Sequence, residues 1–177
     1  TMGTFNRSEG KEISILPIGE NPYPSLKRTG GGFLAEGPRP TQVKIHGKKF
    51  FLLGFSTGDF PTDSYHINYL WSISMMGPYK PLLNADKKDL LDLGKDLKAR
   101  YNLSWVGRPS LFETPSGEYE MLFHGVRTDI LPDNDYTTWP TKYNLWDFFR
   151  CIFKTKVVLT LDNDGQPVMK IKTRRTD

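Results

Sequence analysis

One piece of local grammar occurs twice in the chain, and it limits the fold more than any other feature. Gly37-Pro38-Arg39-Pro40 leads to a turn at Gly47 and an aromatic-rich strand. Gly107-Arg108-Pro109-Ser110 leads in the same way to a turn at Gly117 and a second such strand. The two starts lie 70 positions apart, long for a propeller blade of about 40–50 residues, and a loop near residues 84–100 takes up the difference. Within the first unit, residues 41–45, 49–56 and 65–72 read as three strands of a meander, because short runs of β-branched and aromatic residues are bounded by Gly turns. The second unit reads as strands over 105–113, 118–124 and 156–161. Repeated antiparallel units of this kind suit blades, which are four-stranded sheets set around a channel.

Composition agrees with a β-rich chain. Of 177 residues, 37% are hydrophobic and 13% aromatic, enough for a core, while 16 Gly and 13 Pro punctuate the sequence. Residues 84–97 mix leucines with aspartates around Gly94, and glycine in a helix interior costs about 1 kcal/mol. A long loop carrying one helical turn is predicted there. Cys151 has no second cysteine to pair with and stands in the apolar run Phe148-Phe149-Arg150-Cys151-Ile152-Phe153, which predicts a buried, inert thiol.

Charge excludes some partners. The 24 basic and 20 acidic residues are interspersed and give +4, so no nucleic-acid partner is expected. Lys170, Lys172, Arg174 and Arg175 read as a solvated basic end. No apolar run approaches the roughly 18 residues of a membrane span, and the N-terminus lacks an apolar signal stretch, so a soluble chain without a membrane partner is expected, its compartment open. Thr1 precedes Met2, which leaves three alternatives: a residue added ahead of the start, a cleavage product and a native beginning. Asn6-Arg7-Ser8 and Asn102-Leu103-Ser104 fit a glycosylation pattern that arises often by chance.

An ordered string of motifs carries a resemblance. Ala35-Glu36-Gly37-Pro38, a Gly turn, an aromatic strand ending in Ser56, Tyr65-x-Ile67, then Ser72-Ile73-Ser74-Met75-Met76-Gly77-Pro78-Tyr79 resembles the general-acid blade of family-43 glycoside hydrolases, which are five-bladed β-propellers. Gly107-Arg108-Pro109-Ser110-Leu111-Phe112 with Phe123-His124-Gly125 resembles the following blade, and Asp162-Asn163-Asp164-Gly165-Gln166-Pro167 the closing piece. The resemblance implies an all-β, partial propeller of about two to three blades. Its divisions are an N-terminal connection and strand over 1–32, a general-acid blade over about 33–83, a following blade over about 104–168, and a basic tail over 169–177.

By the same resemblance Glu36 is the general acid of an inverting hydrolase of arabinosides or xylosides. Inversion requires two carboxyl groups about 6.5–9.5 Å apart with water beside one of them, and the acid needs burial and a negative neighbour to keep its proton. Substrate-binding candidates are Phe33 and Trp105 as stacking faces, Arg108 as a paired hydrogen-bond donor, and His124 facing the channel. Tyr65 is a third candidate stacking face. Aromatic residues in strands are more often core, Arg108 suits a structural salt bridge equally well, and a lone histidine is more often a hydrogen-bonded core residue. Asp59, Asp63 and Asp135 are read as solvated.

Two departures from the family's pattern matter. Arg108 stands where members often carry a histidine facing a channel metal ion or water, so no cofactor is expected and calcium is disfavoured. The family's base aspartate and pKa-setting aspartate lie in blades before the acid, and nothing matching precedes Glu36. A companion chain, or a homo-oligomer covering the open edges, is the expected partner, alongside a carbohydrate substrate; only the companion would supply the missing carboxylates. The alternatives are a non-catalytic carbohydrate-binding propeller and, from another class, an N-terminal nucleophile at Thr1.

Overall fold

The computed structural model describes residues 3–6, 11–14, 35–58, 65–84, 87, 90–129 and 150–172. Thr1, Phe33, Asp59, Asp63, Asp135, Arg174 and Arg175 lie outside the described residues, as does the aromatic stretch from Tyr136 to Trp146. A small hairpin pairs β1 (Gly3–Asn6) with β2 (Lys11–Ser14). The other described residues form two four-stranded antiparallel sheets and one helix.

The first sheet runs in chain order through β3 (Ala35–Ile45), β4 (Lys48–Thr57), β5 (His66–Ser72) and β6 (Lys80–Pro81). After α1 (Leu93–Tyr101), the second does the same with β7 (Leu103–Glu113), β8 (Tyr119–Arg127), β9 (Cys151–Leu161) and β10 (Pro167–Ile171). Each is thus an up-and-down meander in which every strand pairs with its sequence neighbour, which is the architecture of a propeller blade. Together they form an all-β, partial propeller.

Turn chemistry fixes the registers. His46 and Gly47 both take positive φ, 48° and 79°, as a two-residue loop of the twist-matched kind demands, so Ile45 pairs with Lys48. The β7–β8 and β9–β10 hairpins share one turn. Gly117 N–H donates to Thr114 O at 2.9 Å and Gly165 N–H to Asp162 O at 3.0 Å, with glycine at φ 78° and 74°. Asp162 Oδ1 also accepts from the backbone of Asp164 and Gln166, the local bonding that favours aspartate at a turn start.

The two sheets pack face to face. Val43, Ile45, Phe50, Leu52 and Tyr69 of the first meet Leu111, Met121, Phe123 and Val157 of the second, all 5% exposed or less. β3 alternates as a half-buried strand must, with Val43 and Ile45 inside and Gln42 and Lys44 outside. Each such side chain contributes roughly 1.5–3 kcal/mol by leaving water. Tyr119 ties the sheets at one edge, its hydroxyl accepting from Lys44 N–H at 2.8 Å.

Four sequence expectations are corrected here. The region read as a loop with one helical turn contains the nine-residue α1, capped by Asp92, whose side chain accepts from Lys95 N–H. Its Gly94 is closely packed, because a Cβ there would lie 3.0 Å from His66 Nδ1 and 3.1 Å from Val106 Cγ2. Gly37-Pro38-Arg39-Pro40, read as leading into a strand over 41–45, sits inside β3 at a register break, as Gly107-Arg108-Pro109-Ser110 sits inside β7. Cys151 is exposed, since it stands at the open end of β9, where its strand neighbour Ile152, on the opposite face, is also 80% exposed. The segment read as a solvated tail supplies β10, with Met169 and Ile171 buried and only Lys170 and Lys172 outward.

Candidate functional site

The register breaks bring the two blades together. In the first, Glu36 pairs with Ser56 just before the ladder shifts between Glu36 and Arg39. In the second, Gly107 pairs with His124 between two shifts of its own. Gly37, Trp105 and Arg108 all take positive φ in these bulges, 58°, 54° and 49°, a conformation that costs non-glycine residues of order 1 kcal/mol. Bulges re-aim side chains, and here they gather Glu36, Ser56, Tyr65, Arg108 and His124 at one end of the sheets.

Hydrogen bonds link the group into a chain. Arg108 N–H donates to Ser56 Oγ at 2.7 Å. Ser56 is hydrogen-bonded in turn to the Tyr65 hydroxyl, which donates to Glu36 Oε2 at 3.3 Å. Tyr65 fits because Gly107 has no side chain, a Cβ there falling 2.8 Å from both Ser56 Oγ and the tyrosine oxygen. Glu36 is half-buried. Its carboxyl is therefore held by a residue whose slot belongs to the other blade.

Burial holds the Tyr65 hydroxyl above its ordinary value, and the Glu36 charge adds to this. The Tyr65 and His124 rings stack at 6.0 Å with 18° between planes. Neither ring nitrogen of His124 has a hydrogen-bond partner among the described residues. Burial first, then the Arg150 and Arg108 charges, lower its pKa from 6.5 to about 4, so the ring is neutral near pH 7.

Of the expected site residues, the structure brings Glu36, Arg108 and His124 together. Trp105 is corrected: at 3% exposed its ring is core and offers no open stacking face. Phe33 lies outside the described residues. Ser56 and Arg150 were not singled out as site residues. Ser56 stood in the motif string as a strand end, and Arg150 in the apolar run before β9, without any signal of what they face. A cavity of about 1280 Å³ lies elsewhere, bounded by Leu97, Tyr101, Phe123, Phe153 and Lys154, and includes none of the Glu36 group.

Many members of the family that the sequence resembles hold a metal ion or water in the channel, and the donors gathered here are a poor match for calcium. Among the described residues no three His, Cys, Asp or Glu side chains gather. Calcium takes six to eight oxygen ligands, whereas His124 offers nitrogen beside two guanidinium charges.

No protein-family model matches the sequence, and no curated relative matches it. Solved structures similar to the chain are glycoside hydrolases. One is a thermostable family-43 enzyme, 17% identical over 79% of this chain and 36% of that one, with a TM-score of 0.46. Another is a xylan β-1,4-xylosidase of Bacillus halodurans, 18% identical over 92% of this chain and 25% of that one, with a TM-score of 0.47. A third is an α-L-arabinanase of Cellvibrio cellulosa, 17% identical over 79% and 38%, with a TM-score of 0.46. The chain spans well under half the length of each of these three structures.

Proposed function

We propose that this chain is part of an inverting glycoside hydrolase for arabinoside- or xyloside-type substrates, with Glu36 as general acid. What carries the reading is the bond from Tyr65 to Glu36, which holds a half-buried carboxyl at the meeting of two blades. In the reaction Glu36 gives its proton to the glycosidic oxygen as the bond to the anomeric carbon breaks. Water attacks from the opposite face, losing its proton to a second carboxylate about 6.5–9.5 Å away.

That second carboxylate belongs, in this proposal, to blades outside these residues, on a companion chain. Two blades leave a ring open, and apolar side chains on the outer face of the second sheet support a covering partner. Leu122, Ile152 and Val158 are 38%, 80% and 39% exposed there, and uncovered apolar faces of a blade invite association. A carbohydrate-binding propeller without catalysis is the second reading, favoured by the single carboxylate in the described cluster. Hydrolysis of a xylo- or arabino-oligosaccharide by the assembled protein, lost in Glu36→Gln, separates the two. Unchanged hydrolysis in that variant rejects Glu36 as the acid.

A further inference from the structure

The hydrogen-bond chain that ends on Glu36 has a direction, and its buried members set it. Arg108 N–H can only donate, and it donates to Ser56 Oγ at 2.7 Å. The Arg108 backbone holds φ at 49° to do so, a region that non-glycine residues enter only where their surroundings impose it. Ser56 is 0% exposed, so its own hydroxyl proton needs an acceptor inside the protein. Among the described residues that acceptor is the Tyr65 oxygen, which is hydrogen-bonded to Ser56 and lies, like Ser56 Oγ, 2.8 Å from where a Cβ on Gly107 would stand. Tyr65 has one hydroxyl proton, and it goes to Glu36 Oε2 at 3.3 Å. In the opposite sense Tyr65 would donate to Ser56, and the serine proton would be buried unmet, which costs more than the bond returns.

A protonated carboxyl group carries its proton on one of two oxygens. We propose that Ser56 is a positioning residue for Glu36: by spending its proton on Tyr65 it fixes the tyrosine as a donor to Oε2, which leaves Oε1 as the oxygen that holds and delivers the acid proton. The inference rests on the glycoside hydrolase reading and adds how its acid is aligned. In the step, the O–H bond at Oε1 breaks and an O–H bond forms at the glycosidic oxygen, while the bond from that oxygen to the anomeric carbon breaks and its electron pair passes to the oxygen. Negative charge develops on Glu36, and the Tyr65 bond to Oε2 strengthens as it becomes charge-assisted. Because the first link is a backbone N–H of β7, the alignment exists only with the second blade seated against the first.

The test compares the assembled parent with Ser56→Ala, Ser56→Thr and Glu36→Gln on a xylo-oligosaccharide and on the matching nitrophenyl xyloside, whose leaving group needs little protonation. Ser56→Ala is expected to lower kcat on the oligosaccharide about tenfold with KM nearly unchanged, and to cost less than about twofold on the nitrophenyl substrate. Ser56→Thr keeps the hydroxyl and is expected to restore most of the loss. An equal loss on both substrates marks packing damage alone and overturns the inference, as does full activity in Ser56→Ala. Either result leaves the hydrolase reading standing when Glu36→Gln still discriminates between the substrates; when Glu36→Gln does not, that reading fails and the inference with it. A second measurement reads the sense of the chain without turnover. In the 177-residue chain, NMR of the isotope-labelled Tyr65 ring carbon bonded to oxygen, identified by its loss in Tyr65→Phe, follows titration of the hydroxyl. Burial raises its pKa and the Ser56 bond lowers it, so Ser56→Ala should move the midpoint upward. A downward shift, or none, shows that Ser56 does not donate to Tyr65 and overturns the inference whatever the kinetics.

Discussion

Tyr65 occupies space that a side chain at Gly107 would fill, its hydroxyl oxygen lying 2.8 Å from the position of an added Cβ. The first strand of the second blade and the tyrosine that holds Glu36 of the first blade therefore depend on one another. Gly107→Ala is expected to destabilise the protein by about 1–3 kcal/mol, the usual cost of overpacking. Thermal unfolding should show a midpoint lower by about 2–4 °C for each kcal/mol. A midpoint equal to the parent's would mean that the slot is not tight.

Tyr65→Phe keeps the ring and removes only the donor to Glu36 and the partner of Ser56. The stability loss is expected near 1 kcal/mol, about the net worth of one hydrogen bond. Hydrolysis should suffer more than binding, with kcat down about tenfold and KM little changed, because a positioned proton donor is loosened. Steady-state kinetics on a xylo-oligosaccharide measures this split.

Stability should fall on mild acidification through His124. Its pKa in the fold is about 4 against an ordinary 6.5, so the unfolded chain binds the proton first. Stability is thus complete above about pH 6.5 and declines as pH drops toward 4. Urea midpoints between about pH 7 and pH 4.5 should show the slope, and His124→Gln should flatten it. Below that range Glu118 takes over, since Lys156 and Lys172 hold its pKa at about 2, an exposed cluster that salt will screen.

The fold was legible in the sequence to the extent that local chemistry decides it. Gly47, Gly117 and Gly165 sit in turns whose positive φ only glycine adopts cheaply, and the alternation around Val43 and Ile45 exposes β3. Helix α1 was not legible, because Gly94 weakens it locally and the compensation is tertiary, a close approach to His66 and Val106. Part of the site was legible for a similar reason. Glu36, Arg108 and His124 stand in motifs, whereas the buried state of Trp105 and the roles of Ser56 and Arg150 arise from contacts between blades, with separations such as the 52 residues from Ser56 to Arg108.

Leu97 tests whether α1 belongs to the same core as the sheets. It is 0% exposed and lies with Leu93 one turn apart in the shared cluster. Leu97→Ala should cost about 2–5 kcal/mol and broaden or shift one cooperative transition in calorimetry. A separate early transition for the helix alone would show that it docks independently.

Ile152 reports on the outer face of the second sheet. At 80% exposed it gives little to the fold of this chain, so Ile152→Asp should leave the stability of the isolated chain within about 0.5 kcal/mol of the parent. Where the proposed companion covers this face, native mass measurement should show loss of the assembly in this variant. An assembly of unchanged mass would place the partner on another surface.

Glu36 delivering a proton to a leaving sugar oxygen is the claim on which the catalytic proposal stands. Its most direct measurement compares the assembled parent with Glu36→Gln on a xylo- or arabino-oligosaccharide and on the matching nitrophenyl glycoside, whose leaving group needs little protonation. The expected result is a loss of about 10²–10⁴-fold on the oligosaccharide and a much smaller loss on the nitrophenyl substrate. Equal losses on both, or none on either, would contradict the assignment of Glu36 as the general acid.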